Sequence, residues 1–327
     1  MSVIIPFLII FIRLALPDVS YVSFSGTAQG TTYQVKYRKA VAEVTRSQVD
    51  SILLQIDRSL SLWQPHSLIN RFNRSTHGIE MDDHMKSVVS RAMEIADSSQ
   101  GTFDITVKRL VDAWGFGVKK GSSFPSDKKL IDVLQCTGIP FLKVNGKKLY
   151  KSKKCVQIDC NGIAQGYSVD VIASFLEVHG IKDYLVELGG EIRILGLNQE
   201  GKPWKIGIES AISDLNGEHP VDIEFQPVSG GITTAGNYRK FRESGGHHFS
   251  HVIDPRTGRP VENGLISVTV MAINAMDADA WDDALMVLGL NKSFELLSRH
   301  PEIRAHFIYQ DSKGIVRDTA TAGFSKL

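Results

Sequence analysis

An acidic stretch near the carboxyl end, residues 276–289, constrains the fold more than any other part of the chain. It places four carboxylates in front of an apolar run, namely Asp277, Asp279, Asp282 and Asp283. In a helix, the last three of these fall at positions i, i+3 and i+4 and therefore share one face. The apolar residues that follow predict a helix anchored in a core, and Gly289 is a typical C-terminal stop.

Three carboxylates on one helix face have two explanations. Like charges repel one another, and a hard cation such as Mg²⁺ or Ca²⁺ would relieve that repulsion because it prefers oxygen ligands. Alternatively, acidic residues occupy the first turn of the helix because the macrodipole favours them there. The spacing alone leaves both explanations open, so the rest of the chain has to decide between them.

The composition is that of a globular protein without a nucleic-acid signature. Of the 327 residues, 43% are hydrophobic and 22% are charged, and the formal net charge is +1. A chain of this length can bury a large core. The small net charge and the lack of a long basic run argue against nucleic acid as the main partner. Three cysteines are too few for a disulfide framework, and the odd count leaves at least one thiol free.

The amino-terminal residues 3–16 are apolar apart from Arg13. This run is too short for a typical membrane span and resembles the apolar region of a secretory signal peptide, although no Lys or Arg precedes it. A buried strand is the alternative. We expect residues 1–20 to be an apolar export leader that also allows membrane contact, and residues 21–327 to form a single domain in the cell envelope or periplasm.

Hydrophobic periodicity predicts an α+β fold in which mixed sheets are covered by helices, because no regular βαβ series is found. Helices are expected at residues 47–62, 83–99, 163–178 and 293–300, and a short helix capped by Ser126 is expected to run through Leu134. A hairpin is expected around Asn145-Gly146. Further strands are expected at residues 31–37, 204–209, 221–225, 231–234, 266–272 and 303–309, with a strand broken at Gly189-Gly190 over residues 185–195.

Three loops carry groups suited to phosphate binding or proton transfer. The loop at residues 159–166 opens a helix, whose free N–H groups suit phosphate oxygens. Residues 231–239 offer hydroxyls and Arg239, and residues 250–260 carry His251, a candidate proton-transfer group. Each loop also has an ordinary alternative as a strand-to-helix turn, a strand end or a reverse turn.

Taken in order, these loops resemble the ApbE family of FAD:protein FMN transferases. The resemblance covers residues 26–289 and rests on the ordered motifs Gly30-Thr31-Thr32-Tyr33, residues 67–73, 103–106, 114–117, 159–170, 188–190, 233–239, 251–258 and 278–281. Each motif is weak alone, but the ordered set is specific. The resemblance implies an ApbE-like, T-fold-like architecture. It also implies an enzyme that uses Mg²⁺, transfers the FMN part of FAD to a Thr or Ser hydroxyl of a target protein, and releases AMP.

The resemblance also implies roles for individual residues. The metal would be held by the backbone carbonyl of Gly162 and by Asp279, with Asp282 and Asp283 nearby. Flavin contacts are implied at Gln29, Trp63, Thr102, Phe103, Asp104, Asp159, Gln165 and Ile253. Mg²⁺ would polarise the phosphorus and stabilise the departing AMP, and Asp279 is therefore a candidate catalytic residue. His251 or a carboxylate is the candidate base for the incoming hydroxyl, and Trp63 is a candidate stacking partner for a flavin or adenine ring.

The sequence departs from the family pattern at several of these positions. Asp283 stands where Thr is usual and adds a charge at the metal, while Gln165 replaces Lys or Glu. Gln29 replaces Met, and Lys108-Arg109 replaces Gly-Pro. Two other functions therefore remain open: an FAD pyrophosphatase that uses water as the acceptor, and an envelope protein that binds flavin without turnover.

Overall fold

The computed structural model describes residues 20–41, 43–118, 124–208, 223–237, 241–244 and 247–324. The predicted leader, apart from Ser20, and the predicted anion contact of Arg239 lie outside these residues. Among the described residues, no helix is both long and apolar enough to cross a membrane.

Every helix that the periodicity predicts is found, together with two that it does not predict, at residues 68–74 and 108–114. The described residues form α1 (Arg46–Leu60), α2 (Leu68–Arg74), α3 (Asp83–Ser98), α4 (Lys108–Trp114), α5 (Asp127–Leu134), α6 (Asn161–Val178), α7 (Ala275–Leu288) and α8 (Leu290–Leu297). Short 3₁₀ turns occupy Ile105–Val107 and Ile139–Phe141. The capping residue of α1 is Thr45, which forms a capping box with Gln48. The acidic stretch is α7, and its helical structure is confirmed.

The strands are β1 (Tyr21–Ala28), β2 (Thr31–Arg38), β3 (Gly78–Glu80), β4 (Leu142–Asn145), β5 (Lys148–Lys151), β6 (Tyr184–Leu188), β7 (Glu191–Leu195), β8 (Ile206–Ile208), β9 (Ile223–Phe225), β10 (Ser229–Gly236), β11 (Phe241–Ser244), β12 (His247–Ser250), β13 (Leu265–Ala272), β14 (Arg304–Gln310) and β15 (Val316–Ala320). The main sheet has the order β1-β2-β6-β7-β10-β13-β14-β15. Smaller sheets are β3-β5-β4, β8-β9 and β11-β12.

The predicted α+β class is confirmed, with one refinement to the expectation of mixed sheets. Every pairing between the described strands is antiparallel. Several consecutive strands are joined by tight hairpins, which produce antiparallel neighbours directly. The hairpin at Asn145-Gly146 is confirmed, because β4 and β5 pair on either side of it.

The break predicted at Gly189-Gly190 within residues 185–195 is found, but the two parts are antiparallel strands of a hairpin and not parts of one strand. The chain reverses at Gly189-Gly190, so that Leu188 of β6 lies opposite Glu191 of β7. Both glycines have positive φ angles, 69° and 116°, which residues with a side chain rarely adopt. The turn therefore returns Glu191 to the neighbourhood of Leu188 instead of carrying it along the strand.

Helices α6 and α7 pack against each other on one face of the main sheet. A Cβ at Gly166 would collide with the carbonyl of Ala275 and would lie 2.7 Å from Cβ of Asp279. A Cβ at Gly231 in β10 would collide with the backbone at Ala275. Glycine at these two positions therefore lets α7 approach both α6 and the sheet, which brings the carboxylates of α7 close to the start of α6.

The amino end of α7 is fixed by two polar side chains. Asn274 accepts a hydrogen bond from the N–H of Asp277 at 2.7 Å. Asp170 of α6 accepts from the N–H groups of Ala275 and Met276, at 2.9 and 2.8 Å. These bonds satisfy N–H groups that the helix itself leaves without partners. The position of α7 along α6 is thereby set.

Apolar packing covers both faces of the sheet. On the helical side, one large buried cluster joins residues of α7, including Trp281, with Phe103 and Ile163. On the other side, Ile194 and Ile232 of the sheet pack with residues of β8 and β9 and with Phe324. Because side chains alternate along β10, Ile232 faces this second layer while Thr233 faces α7. The site residues therefore project from a well-packed framework.

A disulfide joins Cys136, just after α5, to Cys155. Cys160, at the start of α6, is buried and has a free thiol. The bridge connects the segment that leads to Asp159 with the end of a helix 19 residues earlier in the sequence.

Candidate active site

The start of α6 forms the centre of the candidate site. The Asp159 N–H donates to the carbonyl of Ile105 at 2.7 Å, and Oδ1 of Asp159 accepts from the N–H of Asn161 at 2.9 Å. Gly162 departs from helical geometry, with φ −86° and ψ 23°. A Cβ at Gly162 would collide with the Asp283 carboxylate. The Asp283 carboxylate of α7 is thus packed directly against the turn at Gly162.

The other two carboxylates of α7 have different surroundings. Asp279 is buried, and its Oδ2 accepts a hydrogen bond at 2.8 Å from the N–H of Gly166 in α6. Asp282 is also buried and lies near Thr233 of β10. Asp279 and Asp283 therefore face the start of α6, whereas Asp282 faces the sheet.

Burial and like charge raise the pKa of each carboxyl in this group. Burial has the largest effect on Asp279, followed by the charge of Glu191, and holds its pKa well above the usual range. The pKa of Asp282 is raised by burial and by the charges of Asp283 and Asp279. Burial and the charge of Asp159 raise the pKa of Asp283 to about 7. For Asp159, burial raises the pKa to about 6. These carboxylates form an electrostatically coupled acidic cluster.

Glu191 belongs to this cluster, although the sequence analysis did not identify it. A Cβ at Gly189 would lie 2.8 Å from Cγ2 of Thr31, 3.2 Å from Nε2 of Gln165 and 3.3 Å from Oε2 of Glu191. The turn of the β6–β7 hairpin therefore places Glu191 next to Gln165. The signal in the sequence is the Gly-Gly pair, which predicts an interruption of the strand but not a reversal of the chain.

The segment 102–104 has mainly structural contacts. The Thr102 hydroxyl donates to the carbonyl of Ser99 at 2.9 Å. The Asp104 carboxylate accepts from the N–H of Thr106 at 2.6 Å and from the N–H of Ile139 at 3.0 Å. Burial nevertheless raises the pKa of Asp104. Phe103 reaches the site itself, because its ring lies 3.6 Å from where a Cβ of Gly162 would be.

Gln29 and Trp63 lie on two other loops. Gln29 occupies the β1–β2 turn with a positive φ of 51°, and its amide donates to the Ser168 hydroxyl of α6 at 2.9 Å. Trp63 is 63% exposed, in the loop after α1. Asn70 fixes that loop by donating to the carbonyls of Leu62 and Gln64, each at 2.9 Å. An exposed ring on a fixed loop is available for stacking.

His251 and Ile253 flank a buried Val252 in the segment after β12. His251 is half-buried, and its ring meets the edge of Phe116 with 6.3 Å between the ring centres. Ile253 is buried in a separate cluster with Trp114, whereas Val252 belongs to the cluster that contains Phe103. This segment therefore borders the layer that carries Phe103.

The structure brings together Phe103, Asp159, Gly162, Gln165, Asp279, Asp282 and Asp283. It places Gln29, Trp63, His251 and Ile253 on other loops, and their predicted contacts remain predictions. Within the described part of the chain, no three His, Cys, Asp or Glu side chains are arranged so that they could hold a metal ion by themselves.

Comparison with known proteins identifies the relatives of this chain. The ApbE family profile matches residues 29–307. An FAD:protein FMN transferase of Vibrio cholerae is 36% identical over 275 residues, which cover 82% of this chain and 81% of the relative. One of Haemophilus influenzae is 33% identical over 323 residues, which cover 95% of this chain and 92% of the relative.

Solved structures give the same result. The flavin transferase ApbE of Vibrio cholerae superposes with a TM-score of 0.86 at 32% identity, covering 94% of this chain and 99% of that chain. The apo flavinyl transferase ApbE of Pseudomonas stutzeri also gives 0.86 at 32% identity, with 96% and 98% covered. The resemblance found in the sequence motifs is thus confirmed: this chain belongs to the ApbE family.

Proposed function

We propose that this protein transfers FMN from FAD to a Thr or Ser hydroxyl of a target protein and releases AMP in an Mg²⁺-dependent reaction. The single observation that carries the proposal is that two carboxylates of α7 meet the beginning of α6: Asp283 packs against Gly162, and Asp279 accepts a hydrogen bond from the N–H of Gly166. It occurs in a chain whose relatives include FAD:protein FMN transferases over most of its length.

The donor groups suit Mg²⁺. This ion is usually held by one or two carboxylates together with substrate phosphates and water, rather than by a cage of protein ligands. Asp279 and Asp283 with the carbonyl of Gly162 would supply such a partial set. Asp282 would add negative charge from the side of the sheet. The raised pKa values of these carboxyls support the assignment, because a cation would offset the mutual repulsion that contributes to them.

The proposed reaction breaks one bond and forms one at the phosphorus of the FMN moiety. The acceptor hydroxyl oxygen attacks, the bond to AMP breaks, and the departing AMP oxygen keeps the electron pair. Mg²⁺ would neutralise charge on the diphosphate when bound. The protein contributes position: Phe103 supplies an apolar surface beside Gly162, and the rigid framework of α6 and α7 fixes the carboxylates. His251 is the proposed acceptor of the hydroxyl proton.

Incubation with FAD and Mg²⁺, with and without a candidate acceptor peptide containing Thr, would test the proposal by mass spectrometry. We expect a mass increase of one FMN on the acceptor and one AMP released for each FMN attached. Free FMN in place of attached FMN would identify the protein as an FAD pyrophosphatase. FAD binding without either product would identify a flavin-binding protein. If the protein does not bind FAD at all, the proposed function is wrong.

We also propose that residues 1–20 direct export to the cell envelope or periplasm. The apolar run in the sequence supports this, and so does the Cys136–Cys155 bridge, because such bridges persist mainly in oxidising compartments. Residues 21–327 are proposed to form one domain, which the main sheet supports by joining β1 near the start to β15 near the end.

A further inference from the structure

The proposed substrate creates an electrostatic problem at this site. The acidic cluster comprises Asp159, Glu191, Asp279, Asp282 and Asp283. FAD carries a negatively charged diphosphate, which these carboxylates would repel. One divalent cation neutralises only part of the combined charge. A second positive group beside the cluster would therefore assist the binding of a phosphate-bearing ligand.

Lys108 is placed to supply that positive charge. It is the first residue of α4, directly after the 3₁₀ turn that begins at Ile105. The carbonyl of Ile105 accepts the 2.7 Å hydrogen bond from Asp159, which fixes the start of α4 beside the acidic cluster. The Lys108 side chain is only 14% exposed. Its charge acts on Asp159, whose pKa it lowers against the larger effect of burial.

The present partner of Lys108 is one that a stronger anion can replace. Its Nζ lies 2.5 Å from Oδ2 of Asp112, one helical turn further along α4. The Asp112 side chain is 36% exposed, and ion pairs at the i, i+4 spacing of a helix contribute only weakly to its stability. Water can solvate Asp112 if the lysine leaves. Lysine also has a flexible stem, so its ammonium can move to a new partner without a change in the backbone.

Two nearby cations are held more firmly. Arg256 donates two hydrogen bonds to Asp254, at 2.9 and 2.8 Å. Arg193 donates to the carbonyl of Ile273 and lies 3.8 Å from Asp170. Arg256 would have to give up both bonds of a bidentate pair, and Arg193 would have to give up its bond to a backbone carbonyl, to reach a ligand. The contrast favours Lys108 as the group that can respond to substrate.

We propose that Lys108 is a phosphate-binding residue, whose ammonium group exchanges Asp112 for a phosphate oxygen of the flavin nucleotide. This inference rests on the proposed function, because it takes the substrate to be FAD. It makes Lys108 a specificity-determining residue that distinguishes phosphorylated flavins from riboflavin. The simpler alternative is an ordinary helix-stabilising pair between Lys108 and Asp112.

The test compares the binding of FAD, FMN and riboflavin by titration calorimetry, in Mg²⁺ and in EDTA, for the full chain and three variants. Lys108→Met removes the charge, and Arg109→Met removes the same charge at the adjacent position as a matched control. Asp112→Asn releases Lys108 from its partner. We expect Lys108→Met to weaken FAD and FMN binding about tenfold or more, with riboflavin unchanged. Arg109→Met should change none of the three.

The Asp112→Asn variant separates the proposal from a helix-stabilising role. A phosphate-binding Lys108 predicts that Asp112→Asn binds FAD at least as tightly as the wild type. A purely structural pair predicts equal losses of thermal stability in Lys108→Met and Asp112→Asn, with no selective loss of phosphorylated ligands. Equal FAD affinity of Lys108→Met and the wild type would overturn the inference. If the wild type binds no FAD, the proposed function itself is wrong. That result differs from the one that would overturn only the role of Lys108.

Discussion

Individual carboxyl groups of the acidic cluster lie in surroundings that disfavour their charged form. Asp279 and Asp282 are almost inaccessible to solvent, and neighbouring carboxylates raise the pKa of both. Buried carboxylates that repel one another destabilise a fold unless a cation or proton relieves them. The effect of these carboxylates on the stability of the fold can therefore be measured without metal, and their effect on activity can be measured with it.

Replacing Asp279 by asparagine should separate activity from stability. Asn keeps the shape of the side chain and an oxygen that can accept from the Gly166 N–H, but it removes one charge from the cluster. We expect Asp279→Asn to lower FMN attachment by a factor of at least about 100, in line with the loss of groups that hold a metal. The thermal unfolding temperature without metal should stay equal or rise.

Mass spectrometry of the attached FMN and calorimetry in EDTA would measure the two effects. Asp277→Asn is the matched control for stability, because Asp277 pairs with Arg91 outside the cluster. That variant should lose stability instead of activity. Full activity of Asp279→Asn in Mg²⁺ would show that Asp279 does not hold the metal.

The pH dependence of stability without metal follows from the same residues. The folded-state pKa values of about 6 for Asp159 and about 7 for Asp283 lie above the ordinary value of 3.8. At pH values between 3.8 and about 7, the folded protein thus binds more protons than the unfolded chain. Its free energy of unfolding therefore falls as the pH rises through this range. From these two groups we expect a loss on the order of 4 kcal/mol between pH 5 and pH 8.

Urea unfolding in EDTA at pH 5 and pH 8 would measure this loss. Asp283→Asn should make the free energy of unfolding depend less on pH, because it removes the group with the higher of the two values. A free energy that rises from pH 5 to pH 8 would contradict the assignment of raised pKa values.

At the scale of secondary structure, the contact between α6 and α7 sets the geometry of the site. Gly166 lies where the two helices meet, and a methyl group there would collide with the Ala275 carbonyl. We expect Gly166→Ala to lower the free energy of unfolding by about 1–3 kcal/mol through overpacking, and to lower activity by displacing Asp279. Gly207→Ala is the matched control, because a Cβ there has no neighbour within 4 Å.

Denaturant unfolding of both variants would measure the difference. The Gly207→Ala change should be close to neutral or slightly stabilising in its strand. If Gly166→Ala is as stable as Gly207→Ala, the two helices are not in the close contact described here.

The sequence predicts individual elements better than it predicts the contacts between them. The helix at residues 83–99 and the capping of α5 by Ser126 both follow from local patterns, and the structure confirms them. Helix α4 was not predicted, because the seven residues of Lys108–Trp114 are too few to show a period. Hairpin geometry at Gly189-Gly190 also depends on pairing between strands, which a single strand pattern does not contain.

The same limit applies to the site. The i, i+3, i+4 spacing in α7 predicts one acidic face, and the structure confirms that Asp279 and Asp283 both face α6. Asp282 faces the sheet instead, because α7 is packed between α6 and β10 and only part of its surface meets α6. Glu191 joins the cluster through the hairpin that pairs β6 with β7, and the Gly-Gly pair alone does not specify that pairing.

At the scale of the whole molecule, the disulfide is expected to stabilise the fold in an oxidising compartment, such as the one to which export is proposed. The Cys136–Cys155 bridge spans 19 residues, and a loop of this length corresponds to about 3 kcal/mol of stabilisation in the chain-entropy description. We expect the Cys136→Ala/Cys155→Ala variant to lose about 3 kcal/mol in the free energy of unfolding. A reducing agent should destabilise the wild type by a similar amount and leave the variant unchanged. An equal response of both proteins to the reducing agent would show that the bridge is not formed.

The last prediction concerns how the protein divides FAD between transfer and hydrolysis. Both reactions need the same metal and the same diphosphate, so metal dependence does not distinguish them. A protein hydroxyl needs an open groove beside the flavin phosphate, whereas water does not. Trp63 is 63% exposed on a loop that Asn70 fixes, and the resemblance to the family predicts a flavin contact for it. We therefore expect its ring to form one wall of the groove.

Trp63→Ala should raise KM for FAD by about tenfold, the lower part of the range for loss of a stacking aromatic, and should shift the product from attached towards free FMN by admitting water. Thermal stability should change little, because the ring is exposed. Leu54→Ala, which truncates a side chain of α1 that is 47% exposed, is the matched control and should change neither quantity. Attached and free FMN would be measured in one reaction with excess acceptor. An unchanged KM and product ratio in Trp63→Ala would place the ring outside the site, and the groove would then have to be sought along another loop.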